Sequence, residues 1–213
     1  MQICSSHDGR IHAKNPRAAG CIAGISFIMI DNMNIIVSVF ALLLLMVLTA
    51  CTPPQKNIGV PPLQVVSAVD LQRYAGTWYE IAHYPNSFQR GCVATTANYA
   101  ALLTGKIRVV NTCRKERLDG DIISAEGKAW VVDPKTNAKL KVSFFWPFSG
   151  DYWIIELGEN YDYAVVGHPD RKYLWILSRT PFMDSARYAD ILSRLQKTHS
   201  YDTRKLVRTL QPD

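Results

Sequence analysis

The chain has 213 residues, 48% hydrophobic and 20% charged, a balance that suits a folded domain and excludes a disordered or low-complexity polymer. Lys and Arg number 24 against 18 Asp and Glu, but they are scattered along the chain, so the formal charge of +6 gives nucleic acid little support as a partner. Its five Cys and five His show none of the short spacings of a metal site, and no metal or other cofactor is expected.

Residues 35–50 are apolar apart from Ser38 and Thr49, short of the ~20 residues that a membrane-spanning helix needs. The run ends in Leu48-Thr49-Ala50-Cys51, which resembles the lipobox of bacterial lipoproteins. That resemblance implies cleavage before Cys51, acylation of its thiol and new N-terminus, and stable anchoring by several acyl chains. Residues 1–50 are then a signal peptide. Its true start stays open, because Arg10, Lys14 and Arg17 lie far upstream and Met29 and Met33 are alternative starts. An ordinary signal peptide with an incidental Cys51, or an N-terminal membrane anchor, are the competing readings. Thr52, where Asp would imply the inner membrane, points to the bacterial outer membrane. Residues 51–68, rich in Pro and polar residues at the start, read as an extended tether. Removing 1–50 takes three basic and two acidic residues and leaves 21 against 16.

From residue 69 the pattern becomes that of one domain reaching to residue 213. Asp70 can cap a helical turn over Leu71–Tyr74. Eight segments rich in β-branched and aromatic residues follow: Trp78–Tyr84, Val93–Leu102, Lys106–Cys113, Ile122–Val132, Ala138–Phe145, Tyr152–Leu157, Tyr163–Gly167 and Tyr173–Ser178. Turn signals separate them at Thr104-Gly105, Asp119-Gly120, Asp133-Pro134, Ser149-Gly150, Gly158-Glu159-Asn160 and Pro169-Asp170. Such short links make sequence neighbours spatial neighbours, so an all-β, eight-stranded antiparallel up-and-down barrel is expected. From Ser185 to Lys197 the period changes: Tyr188, Ile191, Leu192 and Leu195 fall three and four apart behind an Asp184 cap, predicting one helix packed outside the barrel. A last short strand is expected over Lys205–Leu210.

Cys4 and Cys21 leave with the leader and Cys51 is consumed by lipid, so Cys92 and Cys113 remain as a disulfide candidate across a hairpin, with two free buried thiols as the alternative. A bulge or long loop must absorb their offset about the Thr104-Gly105 turn. Strand alternation hints at an interior. Lys139, Lys141 and Ser143 share one face, leaving Leu140, Val142 and Phe144 on the other. With Glu156 taken as a solvent marker, Tyr152 and Ile154 face out and Trp153, Ile155 and Leu157 face in. Core filling explains these aromatics nearly as well as ligand contact.

Tyr74–Cys92, centred on Gly76-Thr77-Trp78, resembles the first signature of the lipocalin family; Gly167–Pro181, through Arg179, resembles its second and third run together. Lys141–Phe148 is similar to the branch of bacterial outer-membrane lipoproteins. The likeness implies that Trp78 plugs the closed end of the barrel, that Arg179 stacks on it and caps nearby carbonyls, and that Gly76 lets the chain pass beneath. It further implies an open end that takes a small hydrophobic ligand, a fatty acid or lysophospholipid, against residues such as Leu140, Val142, Phe144, Trp153, Ile155 and Tyr163. The barrel would face the periplasm from a membrane anchor at Cys51. Oligomeric state is not legible.

No catalytic residue is expected. The tripeptide His168-Pro169-Asp170 falls in a β-turn and reads as chance, and no nucleophile elbow or phosphate loop occurs. Glu80 is an odd charge in an apolar strand, facing either solvent or a polar group inside the barrel. Two other readings stand: a lipocalin-type enzyme acting on an isoprenoid or epoxide, tested at Glu80 and Tyr163, and a structural lipoprotein with a filled barrel.

Overall fold

The computed structural model describes residues 59–212. The expected signal peptide, the lipidation residue Cys51 and the first half of the tether lie outside the described residues. Helix α1 (Leu71–Tyr74) starts where the Asp70 carboxylate accepts hydrogen bonds from the amides of Gln72 and Arg73, satisfying donors that a helix start leaves free. Eight strands follow: β1 (Gly76–His83), β2 (Cys92–Ala101), β3 (Ile107–Lys115), β4 (Ile122–Val131), β5 (Lys139–Phe145), β6 (Phe148–Leu157), β7 (Tyr163–Gly167) and β8 (Leu174–Ser178). Each pairs antiparallel with the next, and β1 pairs with both β8 and β2, closing the barrel.

This up-and-down order sorts the loops into two ends. One end, the base, carries α1 and the turns after β2, β4 and β6; the other, the mouth, carries the turns after β1, β3, β5 and β7. Helix α2 (Ser185–Lys197) is capped by Asp184, which accepts from the Arg187 amide, and ends with Arg194 and Lys197 where the helix dipole favours cations. Its Ile191 and Leu195 are fully buried in a cluster with Ile81, Val165 and Ile176 on the outer wall. A second cluster, holding Trp78, Tyr99, Leu140, Ile154 and Val166, fills the interior. The wall made by β7, β8 and the adjoining parts of β1 and β6 thus lies between two apolar layers, and β7 and β8 bury both faces.

Four local expectations are corrected. Of the residues expected in a tether, those from Pro61 on already contact the barrel. Arg171 donates to the Pro61 carbonyl, Leu63 is buried, and the Val66 amide donates to the Ile154 carbonyl. The turn expected at Ser149-Gly150 lies inside β6; the chain reverses at Trp146-Pro147, pairing Phe145 with Phe148 and Val142 with Gly150. The expected C-terminal strand shortens to β9 (Val207–Arg208), which pairs with β1. It does not extend a free edge, because its continuation bonds both neighbours: Thr209 N–H to the Ile81 carbonyl, and Ala94 N–H to the Leu210 carbonyl. The C-terminal segment therefore fills the gap where β1 and β2 part towards the mouth. Finally, the facing of β6 is reversed near its middle, as described below.

Cys92 and Cys113 form a disulfide across β2 and β3. A shift in register between Val93 and Thr96, with Ala94 in the left-handed region at φ 49°, takes up the offset.

Candidate ligand-binding site

The base of the barrel is sealed by one indole. Trp78 is fully buried, and its Nε1 donates to the Tyr74 carbonyl at 2.8 Å. The guanidinium carbon of Arg179 sits 3.8 Å from the Trp78 ring centroid. Its Nη1 donates to the Thr77 carbonyl at 2.9 Å and its Nη2 to that of Arg73 at 2.7 Å, so it closes α1 onto β1. Gly76 supplies φ 95° at the junction, a conformation that costs a residue with Cβ about 1 kcal/mol or more.

Beside this plug, at the base end, lies a cavity of about 220 Å³, walled by Ile107, Ala129, Leu140, Val142 and Ile154 and by the rings of Tyr74, Tyr99 and Tyr152. Gln72 of α1 and Lys106 of the β2–β3 turn edge it. The Tyr152 hydroxyl lies 2.8 Å from those of both Tyr74 and Tyr99. Burial pushes Tyr99 up to about 12 and holds Tyr74 and Tyr152 well above the ordinary tyrosine value, so all three phenols are neutral.

The mouth half is filled differently. A bulge at Ile81 in the β1–β8 pairing turns Glu80 and His83 to the same interior face, opposite Leu177 and Trp175. Glu80 is 3% exposed, yet its carboxylate accepts from Gln89 Nε2 at 2.6 Å and Thr209 Oγ1 at 2.6 Å, with His83 Nδ1 2.9 Å away. Gln89 comes from the 3-10 turn Ser87–Gln89 between β1 and β2, and its Oε1 accepts from Trp175 Nε1 at 2.9 Å. Without such partners a buried carboxylate would cost several kcal/mol. Of the two sites left open for Glu80, the interior one is correct.

The model of the lipocalin-like domain family matches residues 69–211. The chain belongs to the lipocalin family. It is 39% identical over 176 residues to the outer membrane lipoprotein Blc of Vibrio cholerae, covering 82% of this chain and 98% of that one. It is 40% identical over 164 residues to Blc of Escherichia coli K12, covering 76% and 89%. Among solved structures, insecticyanin of the tobacco hornworm superposes with a TM-score of 0.57 at 23% identity, over 72% of this chain and 87% of that one, a likeness of fold.

Of the six expected ligand contacts of this lipocalin, Leu140 and Val142 line the cavity. Phe144 is displaced from it: its ring lies over Gly127 near the mouth, 42% exposed, beside the exposed Phe145, Trp146 and Phe148. Trp153, Ile155 and Tyr163 are corrected outright, since all three pack in the outer cluster against α2. Tyr152 and Ile154, expected outside, face the cavity instead. The reason is a break in alternation at Ile155, after which Glu156 faces outward but is covered by α2 rather than solvent. It is 7% exposed beneath α2, where Arg194 Nε and Nη2 donate to it at 2.9 and 2.8 Å and His199 Nε2 stands at 3.4 Å. A register shift between Ile154 and Glu156 then returns Leu157 to the interior. The Tyr163 hydroxyl accepts from Arg194 as part of this outer network. His168-Pro169-Asp170 sits in the β7–β8 turn at the mouth, with His168 Nδ1 against the Asp170 carboxylate.

Proposed function

We propose that this lipocalin is an outer-membrane lipoprotein, held through an acylated Cys51, that stores or carries a fatty acid or lysophospholipid with its acyl chain in the barrel. Residues 1–50 would be removed as a signal peptide, and the barrel would work on the periplasmic side in maintaining the envelope. The observation that carries the reading is the apolar cavity behind Leu140, Val142 and Ile154. The names of the two bacterial relatives support the compartment.

The size of the cavity sets the energetics. At ~30 Å³ for each methylene-sized or water-sized unit, 220 Å³ encloses about seven. At ~0.8 kcal/mol per buried CH₂ that is roughly 6 kcal/mol, before the chain's ordering is charged against it. The space is below the ~300 Å³ at the low end of ligand pockets, so a long chain fits it only in part. A second reading, a structural lipoprotein with a filled barrel, is favoured by one feature: Glu80, Gln89 and Trp175 already fill the mouth half.

Native mass spectrometry of the delipidated chain after incubation with a lysophospholipid separates the two. A retained 1:1 adduct with a change in Trp fluorescence is expected. A bare mass at every ligand concentration favours the filled barrel.

A further inference from the structure

The hydroxyls of Tyr74, Tyr99 and Tyr152 present a deficit that can be counted. Three neutral phenols bring three O–H donors, and each oxygen can also accept. Only two hydrogen bonds join them, Tyr74 to Tyr152 and Tyr99 to Tyr152, and among the described residues no other acceptor lies within reach of any of the three. However the protons are arranged, one O–H is left without a partner. Tyr74 and Tyr99 are 4% and 8% exposed and Tyr152 is half-buried, so bulk water does not meet that need when the spare proton is on Tyr74 or Tyr99. An unmet donor in an apolar site is costly, and any oxygen that answers it gains accordingly.

The remaining walls decide what kind of oxygen fits. No Lys, Arg or His hydrogen-bonds these hydroxyls, and the carboxylate nearest in effect, Glu80, raises Tyr99 further. The nearest cations, Lys106 at the cavity edge and Arg179 on Trp78, make no hydrogen bond to the hydroxyls, so a carboxylate drawn in to them would be buried without a hydrogen-bonded countercharge, a cost that a neutral acceptor escapes. Apart from Gln72 and Lys106 at the edge and the phenols themselves the lining side chains are apolar, Ile107, Ala129, Leu140, Val142 and Ile154 among them, so that acceptor sits on an otherwise apolar chain.

We propose that the base cavity is a subsite for a neutral oxygen carried within the apolar part of the ligand, and that the chain prefers oxygenated acyl ligands, with an oxo or hydroxyl group on the buried portion, over plain saturated ones. The proposal rests on the carrier reading above and adds a substrate class to it. The spare phenol proton donates to the ligand oxygen. The preference depends on where along the acyl chain the oxygen lies, because only one depth brings it to the three hydroxyls.

The test compares a saturated long-chain fatty acid with oxo analogues of the same length, the carbonyl moved stepwise along the chain, titrated into the delipidated full chain. One oxo position is expected to bind about five- to tenfold tighter than the saturated acid, the others no tighter. A single Tyr→Phe change leaves at least one spare donor, so the informative variant is Tyr74→Phe/Tyr99→Phe/Tyr152→Phe. In that variant the ratio of oxo to saturated affinity should fall to within about twofold, whatever its affinity for the saturated acid. Equal affinities for saturated and oxo acids in the parent overturn the subsite and leave the carrier reading standing. That is also the outcome if a buried water already takes the spare proton. Failure of every acid to bind overturns both.

Discussion

Arg179 places its guanidinium carbon 3.8 Å from the centroid of the Trp78 ring while donating to three backbone carbonyls of the α1–β1 junction, those of Arg73, Tyr74 and Thr77. One side chain thus fastens the plug and caps the helix end. A cation–π contact of about 0.5–2 kcal/mol and charged hydrogen bonds of roughly 1.5–3 kcal/mol overlap there, discounted for partial exposure. Arg179→Ala should lower stability in urea by about 2–4 kcal/mol. Arg179→Lys should recover less than half, because an ammonium lacks the planar fork.

The tyrosine cluster predicts a reversal of the usual order of single and multiple variants. Tyr152→Phe removes the shared hydroxyl and orphans two others, costing about 1–3 kcal/mol. The triple Phe variant removes donors and acceptors together from an apolar wall, which is close to neutral. Urea midpoints should therefore place the triple variant nearer the parent than the single one. A triple variant less stable than Tyr152→Phe would contradict the hydrogen-bond assignment.

The same phenols fix an alkaline limit. Unfolded tyrosines ionise near 10.0, whereas burial pushes Tyr99 up to about 12 and Tyr74 and Tyr152 well above 10.0. Their contribution to stability is whole below pH 10 and is lost as the pH rises through about 12, by roughly 1.4 kcal/mol per pH unit for each phenol still protonated in the fold. Phenolate absorbance and far-UV circular dichroism should show these tyrosines ionising only as the barrel unfolds. The triple Phe variant should unfold at higher pH.

Beneath α2, Arg194 and Glu156 join the helix to the outer wall, and the Glu156 hydrogen bonds raise the Arg194 pKa despite a desolvation penalty. Arg194→Met leaves the buried carboxylate with only His199 nearby and should cost about 2–4 kcal/mol. Glu156→Gln/Arg194→Met should cost less than Arg194→Met alone, giving a coupling of at least about 1 kcal/mol in a double-mutant cycle.

The barrel, its strand order, the outer helix and the cysteine pair were legible because each depends on local pattern: period two, turn residues, period 3.6 and a count of thiols. The residues facing the cavity were legible only on β5. There the charged Lys139 and Lys141 mark one face, so Leu140 and Val142 fall on the other. On β6 the inference failed at Ile155. Counting back from Glu156 assumes unbroken alternation, but a register shift between Ile154 and Glu156 leaves Ile155 and Glu156 both on the outer wall and turns Ile154 and Tyr152 inward. A second shift, between Val142 and Phe145, sets Leu140 opposite Tyr152, and cross-strand partners share a face. Glu156 does face outward, but a helix rather than solvent covers it. The signal that existed was Arg194, placed one helical turn after Asp190 and one residue before the apolar Leu195. The Glu80 network was not legible, since Thr209 and Gln89 reach it from sites 129 and nine residues away.

The central claim is that the interior behind Leu140, Val142 and Ile154 holds an acyl chain. The most direct measurement is anomalous diffraction from crystals of the chain bound to a fatty acid brominated near its methyl end. A bromine peak inside the barrel, in contact with Ile154 or Val142, is predicted. A bound acid whose bromine lies on the outer wall or at the surface would contradict the account.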